Sequence, residues 1–183
     1  MSRPPAFRLL LATGVAIVPG AQAAFAVQYL TVDQAQHQAF PTATSFAPIA
    51  ASRETLARVL TPDMRAPDGW SPRVMEARAS EKTLGWVIID QVIGKTDLIT
   101  FAVAIDADGA ITSLEILEYR EAHGSEVRLP AWRRQFKGKR INDRVALGSD
   151  IRNISGATLS CTHVTEGVRR ALFLYDRLLR KQS

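Results

Sequence analysis

The chain has 183 residues, of which 46% are hydrophobic and 22% charged, and a formal net charge of +5. At roughly 150 residues per domain this length fits one domain, and the near-average composition excludes collagen, coiled-coil and disordered classes. A mean hydropathy of −0.02 without repeated apolar runs excludes a polytopic membrane protein. The single cysteine, Cys161, excludes an intrachain disulfide framework and a Cys-rich metal site.

The N-terminus has the layout of a secretory signal peptide. Two arginines precede the apolar stretch Leu9–Val18, and a Pro-Gly pair and small residues in A-x-A order follow. We therefore predict a signal peptide over residues 1–23, cleaved after position 23 or 26, and a periplasmic protein. An uncleaved membrane anchor is the alternative, because no charge occurs from residue 9 to 32. Removing two arginines lowers the charge from +5 to +3, which weakens any nucleic-acid-binding interpretation.

Two short helices are predicted in an N-terminal extension that spans residues 27–80. The spacing of apolar residues indicates one helix over Thr31–Phe40 and another over Ser52–Leu60. Each begins at a hydroxyl residue able to cap it, and Gln34 completes a capping box in the first. The prolines and other turn formers of Thr61–Pro72 predict a loop.

The middle of the chain is rich in β-forming residues. Four strands are predicted, over Val74–Ala79, Gly85–Ile93, Leu98–Asp106 and Ile111–Tyr119. The Asp-Ala-Asp-Gly turn at 106–109 predicts a hairpin between the last two. Apolar residues in the final strand do not alternate regularly, which indicates a bulge or burial on both faces.

The C-terminal part, residues 81–183, is predicted as the main domain. A short helix is expected around Trp132–Phe136, and Thr162–Arg180 has the apolar spacing of an amphipathic helix. The predicted fold class is α+β, with an antiparallel sheet of about four strands flanked by the N-terminal short helices and the C-terminal amphipathic helix.

Small and hydroxyl residues concentrate just before the last predicted helix. Ser155, Gly156, Ala157 and Thr158 are followed closely by Ser160. Backbone amides at a helix N-terminus, with hydroxyls beside them, form a natural phosphate site. An ordinary helix start followed by a core helix is the alternative interpretation of the same pattern.

The string Ser-Gly-Ala-Thr at 155–158, with Asp150 eight residues before Thr158, resembles the flavinylation sequence of the FMN-binding domain family. That family includes the covalent-FMN subunits of the Rnf and sodium-pumping NADH:quinone oxidoreductase complexes. The resemblance extends over roughly residues 85–175. It is also carried by the segments Val92–Lys95, Asp108–Ile111, Glu118–Gly124 and Trp132–Lys139.

The resemblance implies that FMN is attached through its phosphate to Thr158. It also implies a separate flavin transferase, which uses FAD as donor, releases AMP and carries a divalent metal. A threonine hydroxyl is a poor nucleophile, and the chain shows no Walker sequence or clustered carboxylates to activate it. Thr158 is therefore expected to accept the flavin phosphate rather than to attach it by itself. Ser160 is an alternative position for the bond, and Leu159 lies between the two at the cofactor site.

Four further residues are candidates for the flavin site. His123 beside Gly124 either contacts the flavin or is a solvated turn residue. His163 either pairs with the phosphate or is structural, and Trp132 either stacks on the ring or packs in the core. Lys95 and the basic residues 133–140 either bind an anionic partner or form a solvated face.

We expect no catalytic residues and no metal in this chain. FMN would supply the redox chemistry, so an electron-transfer flavoprotein is favoured over an enzyme with its own substrate. Its partners would be the flavin transferase and a membrane-bound redox protein. A non-covalent FMN sensor or flavin store is the alternative.

Overall fold

A computed structural model describes residues 26–61, 64 and 66–180. The predicted signal peptide, residues 1–23, lies outside the described residues. Within the described ranges, no helix combines the length and the apolar character that crossing a membrane requires.

The fold is α+β and is built on one antiparallel sheet, as predicted. Six strands form it: β1 Val27–Gln28, β2 Ser45–Ile49, β3 Arg73–Ala79, β4 Lys82–Ile93, β5 Leu98–Asp106 and β6 Ile111–Tyr119. Their spatial order is β1-β6-β5-β4-β3-β2. Strands β3 to β6 are the four predicted strands, and each pairs with its chain neighbour.

The prediction of about four strands was wrong by two. Strand β1 has only two residues, and β2 (Ser-Phe-Ala-Pro-Ile) contains Pro48, which argues against a strand in a sequence. Pro48 is tolerated because β2 pairs only with β3 and forms an edge of the sheet, where the missing N–H leaves no ladder bond unmade. The segment 27–80, predicted as an extension, thus contributes three of the six strands.

Strand β6 contains the irregularity that its sequence indicated. The register with β5 shifts twice, so that Ile116 pairs with Phe101 while Glu118 pairs with Thr100, leaving Leu117 as the extra residue. Ile116 is buried on one face of the sheet and Leu117 in the apolar cluster on the other. The bulge therefore lets adjacent apolar residues enter two different cores.

The helices largely follow the predictions. Their bounds are α1 Val32–Ala39, α2 Arg53–Val59, α3 Pro130–Arg133 and α4 Thr158–Leu174. In the predicted capping box of α1, Thr31 Oγ1 accepts from the Gln34 amide at 3.1 Å and Gln34 Oε1 accepts from the Thr31 amide at 2.9 Å. Ser52 caps α2 by accepting from the Thr55 amide at 3.1 Å.

Helix α4 differs from its prediction at both ends. It begins four residues before the predicted start, so Thr158 lies in its first turn, and a π-helical turn, Tyr175–Leu179, follows it. Apolar periodicity is weak over the small and hydroxyl residues of the first turn, which hides the start in the sequence.

Two apolar clusters enclose the sheet. The larger lies under α4 and contains Trp86, Phe101 and Val168, and the smaller lies under α1 and contains Phe40 and Ile89. A buried ion pair fastens α4 to the sheet, because Arg170 donates to an Asp90 carboxylate oxygen at 3.0 Å. The same carboxylate accepts from the Trp70 indole N–H at 2.9 Å.

Candidate functional site

Three separate chain segments meet in a hollow of about 360 Å³ at the N-terminus of α4. They are the β4–β5 loop, the segment after β6, and the Ser-Gly-Ala-Thr segment with the first turn of α4. The lining residues are Lys95, Thr96, Glu121, Ala122, His123, Gly124, Gly156, Ala157, Thr158, Leu159 and Ser160. We call this the Thr158 hollow. It brings together seven of the predicted site residues, among them Lys95 and His123 from distant parts of the chain.

A tight turn presents Thr158 at the surface. The amide of Ala157 donates to the Ile154 carbonyl at 3.0 Å, and Gly156 has φ +87°, a left-handed conformation that favours glycine. Thr158 follows as the exposed first residue of α4. Ser155 is exposed on the same turn but does not line the hollow.

The Thr158 hydroxyl has a partner that the sequence analysis missed. Asn153 Nδ2 donates a hydrogen bond to Thr158 Oγ1 at 2.9 Å. Asp150 is the upstream polar residue that the resemblance indicated. The signal for Asn153 is an amide side chain five residues before Thr158.

The N-terminus of α4 has no side-chain cap. Its N-cap residue is Ala157, which has no acceptor, whereas Thr31 and Ser52 cap α1 and α2. The first amides of the helix have no intrahelical acceptor, and the helix dipole adds partial positive charge there. Lys95 and Glu121, of opposite charge, both line the opposite wall, so it is the helix N-terminus that favours an anion at this end of the hollow.

Glu121 holds the opposite wall of the hollow in place. One carboxylate oxygen accepts from three successive amides of the β4–β5 loop: Lys95, Thr96 at 2.6 Å and Asp97 at 2.9 Å. Partial burial disfavours the charged form, but these amides and the Thr96 hydroxyl outweigh it and lower the pKa of Glu121. The carboxylate thus ties the segment after β6 to the β4–β5 loop.

A buried hydroxyl pair joins the same segment to α4. Tyr119 Oη lies 2.9 Å from Ser160 Oγ and donates to the His123 carbonyl at 2.5 Å. The pair sits directly against Gly124, where φ is +87° and a Cβ would meet both oxygens at 2.7 and 2.8 Å. His123 itself is exposed at the rim, with its backbone fixed by Tyr119.

His163 lies beside the hollow rather than in its lining. Its Nδ1 is 2.8 Å from the Gly94 carbonyl, so this nitrogen carries a proton and donates. The contact connects the second turn of α4 to the β4–β5 loop next to Lys95. Cys161 is fully buried, and burial raises the pKa of its thiol.

Asp150 organises the loop that precedes the turn. Its carboxylate accepts from Lys139 Nζ at 2.8 Å and from the amides of Val145 and Ala146 at 3.1 and 2.8 Å. Although partial burial opposes ionisation, these contacts lower the pKa of Asp150 to about 2. Asp150 therefore shapes the approach to Thr158 without lining the hollow.

Trp132 lies in the core beneath a neighbouring hollow. It is 3% exposed, packs edge-on against Phe136 with the ring centroids 5.0 Å apart, and donates from its indole to the Arg152 carbonyl at 2.8 Å. That second hollow, of about 540 Å³, also includes Asp150 and Asn153 in its lining. Trp132 thus packs in the core and also lines this second hollow rather than the Thr158 hollow.

Comparison with known proteins gives a family for the region that contains the site. The family model described as "FMN-binding domain" matches residues 94–173. Among solved structures, the crystal structure of Shewanella oneidensis NqrC is similar with a TM-score of 0.48 and 18% identity, covering 76% of this chain and 81% of that chain. No curated protein matches the chain in sequence. The part of the chain that contains the whole Thr158 hollow, residues 94–173, therefore matches the FMN-binding domain family.

Proposed function

We propose that the chain is an exported flavoprotein that carries FMN on Thr158 through a phosphoester bond and passes electrons from a membrane reductase to a downstream acceptor. One observation carries this proposal. Within an FMN-binding domain, an exposed threonine hydroxyl lies at an uncapped helix N-terminus, on the wall of a hollow that also contains Lys95.

The residues present fit a flavin phosphate at this position. Gly156 has nothing within 4 Å of the place where a Cβ would be, so the space beside the turn is open to a bulky substituent. The helix amides and Lys95 offer hydrogen bonds and positive charge to a phosphodiester. The hollow of about 360 Å³ is within the range of small-ligand sites.

When bound, FMN supplies the electron transfer, and the protein binds, orients and shields it. Thr158, the α4 amides and Lys95 would hold the phosphate, and His123, Gly124 and Leu159 would border the rest of the cofactor. The hydrogen bonds of Glu121 and Tyr119 keep these walls at fixed positions. Such a site transfers electrons without a general acid or base of its own.

Attachment needs a flavin transferase as a partner. The transferase would supply the base and the divalent metal that activate the Thr158 hydroxyl towards FAD. The exposure of Thr158 on a surface turn supports this role, because a separate enzyme needs access to the hydroxyl.

Exposed apolar side chains beside the hollow support a redox partner that docks there. Leu159, on its wall, is 47% exposed, and Ile93 and Leu98, which flank the β4–β5 loop, are 51% and 36% exposed. Exposed apolar patches mark interaction sites.

Leu159→Gln should slow the reduction of the flavinylated protein by membranes supplied with NADH. Leu129, at the second hollow, is similarly exposed, and Leu129→Gln should leave this rate unchanged. Equal rates for both variants would remove this support.

Export and periplasmic location are part of the proposal and rest on the N-terminal sequence. Fractionation of cells that express the full chain, followed by N-terminal sequencing of the product, tests both. Periplasmic protein that begins at residue 24 or 27 is the expected result. Protein retained in membranes with its first residues present would indicate the uncleaved anchor, and cytoplasmic protein would contradict export.

Intact-mass spectrometry of the full chain, expressed with and without a flavin transferase, tests the flavin linkage. We expect a gain equal to FMN minus water only with the transferase, retained after denaturation. Thr158→Ala should abolish the gain, while Thr162→Ala, one turn further along α4, should keep it. Flavin that leaves on denaturation would favour the non-covalent sensor or store, and a protein without flavin in either form would overturn the proposal.

A further inference from the structure

Asn153 does not line the Thr158 hollow, but its side chain contacts the Thr158 hydroxyl that does. We propose that Asn153 is the positioning residue that presents the Thr158 hydroxyl for esterification, an inference that rests on the function proposed above. Its amide reaches Thr158 Oγ1 at 2.9 Å, across the Ile154–Ala157 turn.

The backbone on the Asn153 side is held by contacts to the helical segment 130–136. The Arg152 amide donates to Gln135 Oε1 at 2.8 Å, and the Arg152 carbonyl accepts from the Trp132 indole at 2.8 Å. Ile151, one residue earlier, is fully buried. The backbone from which the Asn153 side chain extends is therefore held in place, which limits the positions that the side chain can occupy.

The backbone on the Thr158 side is equally constrained. The turn ends in α4, where the Thr158 carbonyl accepts from the Thr162 hydroxyl at 2.9 Å in addition to its helical role. With both backbones held, the remaining freedom is rotation of Thr158 about χ1 and of the Asn153 amide. The hydrogen bond between them selects one Thr158 rotamer.

The direction of the hydrogen bond matters for the chemistry. Because the Asn153 amide donates, it uses one lone pair of Oγ1 and leaves the hydroxyl proton and the other lone pair available. In the transfer, Oγ1 forms a bond to the phosphorus of the FMN half of FAD, and the phosphoanhydride bond breaks. AMP leaves with the bridging oxygen, and the hydroxyl proton passes to a base of the transferase. A pre-oriented nucleophile lowers the entropic part of this barrier.

Asn153→Ala and Asn153→Asp test the assignment, with Asn142→Ala, an exposed amide lining a different hollow, as the matched control. Each full chain is incubated with purified flavin transferase, FAD and divalent metal, and the flavinylated fraction is followed by intact mass. We expect kcat for modification to fall about tenfold or more in both Asn153 variants, the size of one lost hydrogen bond in the transition state, with an unchanged KM for the protein. The control should match the wild type.

A second readout does not depend on the transferase. The three-bond couplings of the Thr158 side chain should report one χ1 rotamer in the unmodified wild type and an average of several in Asn153→Ala, with the melting temperature unchanged. Unaltered couplings, an unaltered kcat, or a rise in KM alone would overturn the positioning role. Wild-type kinetics in Asn153→Asp would overturn the assignment of the amide as donor. Failure of the wild type to gain flavin would instead overturn the proposed function, and the inference with it.

Discussion

The hydroxyl oxygens of Tyr119 and Ser160 lie 2.9 Å apart, 41 residues distant in the chain and both nearly inaccessible to solvent. Tyr119 gives its proton to the His123 carbonyl, so Ser160 must be the donor of the pair. Burial raises the pKa of Tyr119, which keeps the phenol protonated at neutral pH. This relay connects the end of β6, the rim of the hollow and the first turn of α4.

Tyr119→Phe should therefore destabilise the protein by about 1–3 kcal/mol, because the buried Ser160 hydroxyl and the His123 carbonyl both lose a partner. Urea unfolding measures the change. Tyr29→Phe is the control, since the Tyr29 ring is only partly buried and its contact with Arg128 uses the ring face. A Tyr119 variant no less stable than the control would show that the relay does not stabilise the fold.

Gly124→Ala should be more destabilising than Gly138→Ala. Both glycines have positive φ, +87° and +82°, so both substitutions carry a similar backbone cost of about 1 kcal/mol. Only at Gly124 would the new methyl meet the Tyr119 and Ser160 oxygens, which adds about 1–3 kcal/mol of overpacking. Equal losses of unfolding free energy in the two variants would contradict the close packing of the relay.

Glu121→Gln should loosen the wall of the Thr158 hollow and cost about 1 kcal/mol at pH 7, because a neutral amide is a weaker acceptor for the three loop amides. The pKa of Glu121 is lowered on folding, so its contribution is present above the ordinary value of 4.5 and is lost as the pH falls below it. In the Glu121→Gln variant, the free energy of unfolding should lack this part of its dependence on pH. Glu126→Gln, at an exposed neighbouring carboxylate, should retain it.

Asp150→Asn should flatten the pH dependence of stability at still lower pH. The pKa of this carboxyl falls from 3.8 to about 2 on folding, so wild-type stability should decline by about 2 kcal/mol as the pH falls from about 4 to 2. Asp108→Asn, at an exposed turn, should leave that decline in place. Parallel acid-unfolding curves for Asp150→Asn and wild type would refute the lowered pKa.

Features that depend on neighbours in sequence could be predicted. The Thr31 and Ser52 caps act on amides three residues away, and the 106–109 turn joins the adjacent strands β5 and β6. The predicted start of α4 was wrong because its first turn has no regular apolar spacing. Strand β2 was missed because Pro48 is acceptable only at a sheet edge, and its place at the edge is a property of the whole sheet.

The sequence by itself determined the residue types of the Thr158 turn and the local elements that hold them, since turns, caps and helix periodicity arise from interactions within a few residues. Tertiary structure decided which of those residues meet. Glu121 reaches amides some 25 residues earlier in the chain, and Tyr119 reaches Ser160. Such contacts depend on the sheet register and the docking of α4, which only burial of the common core sets.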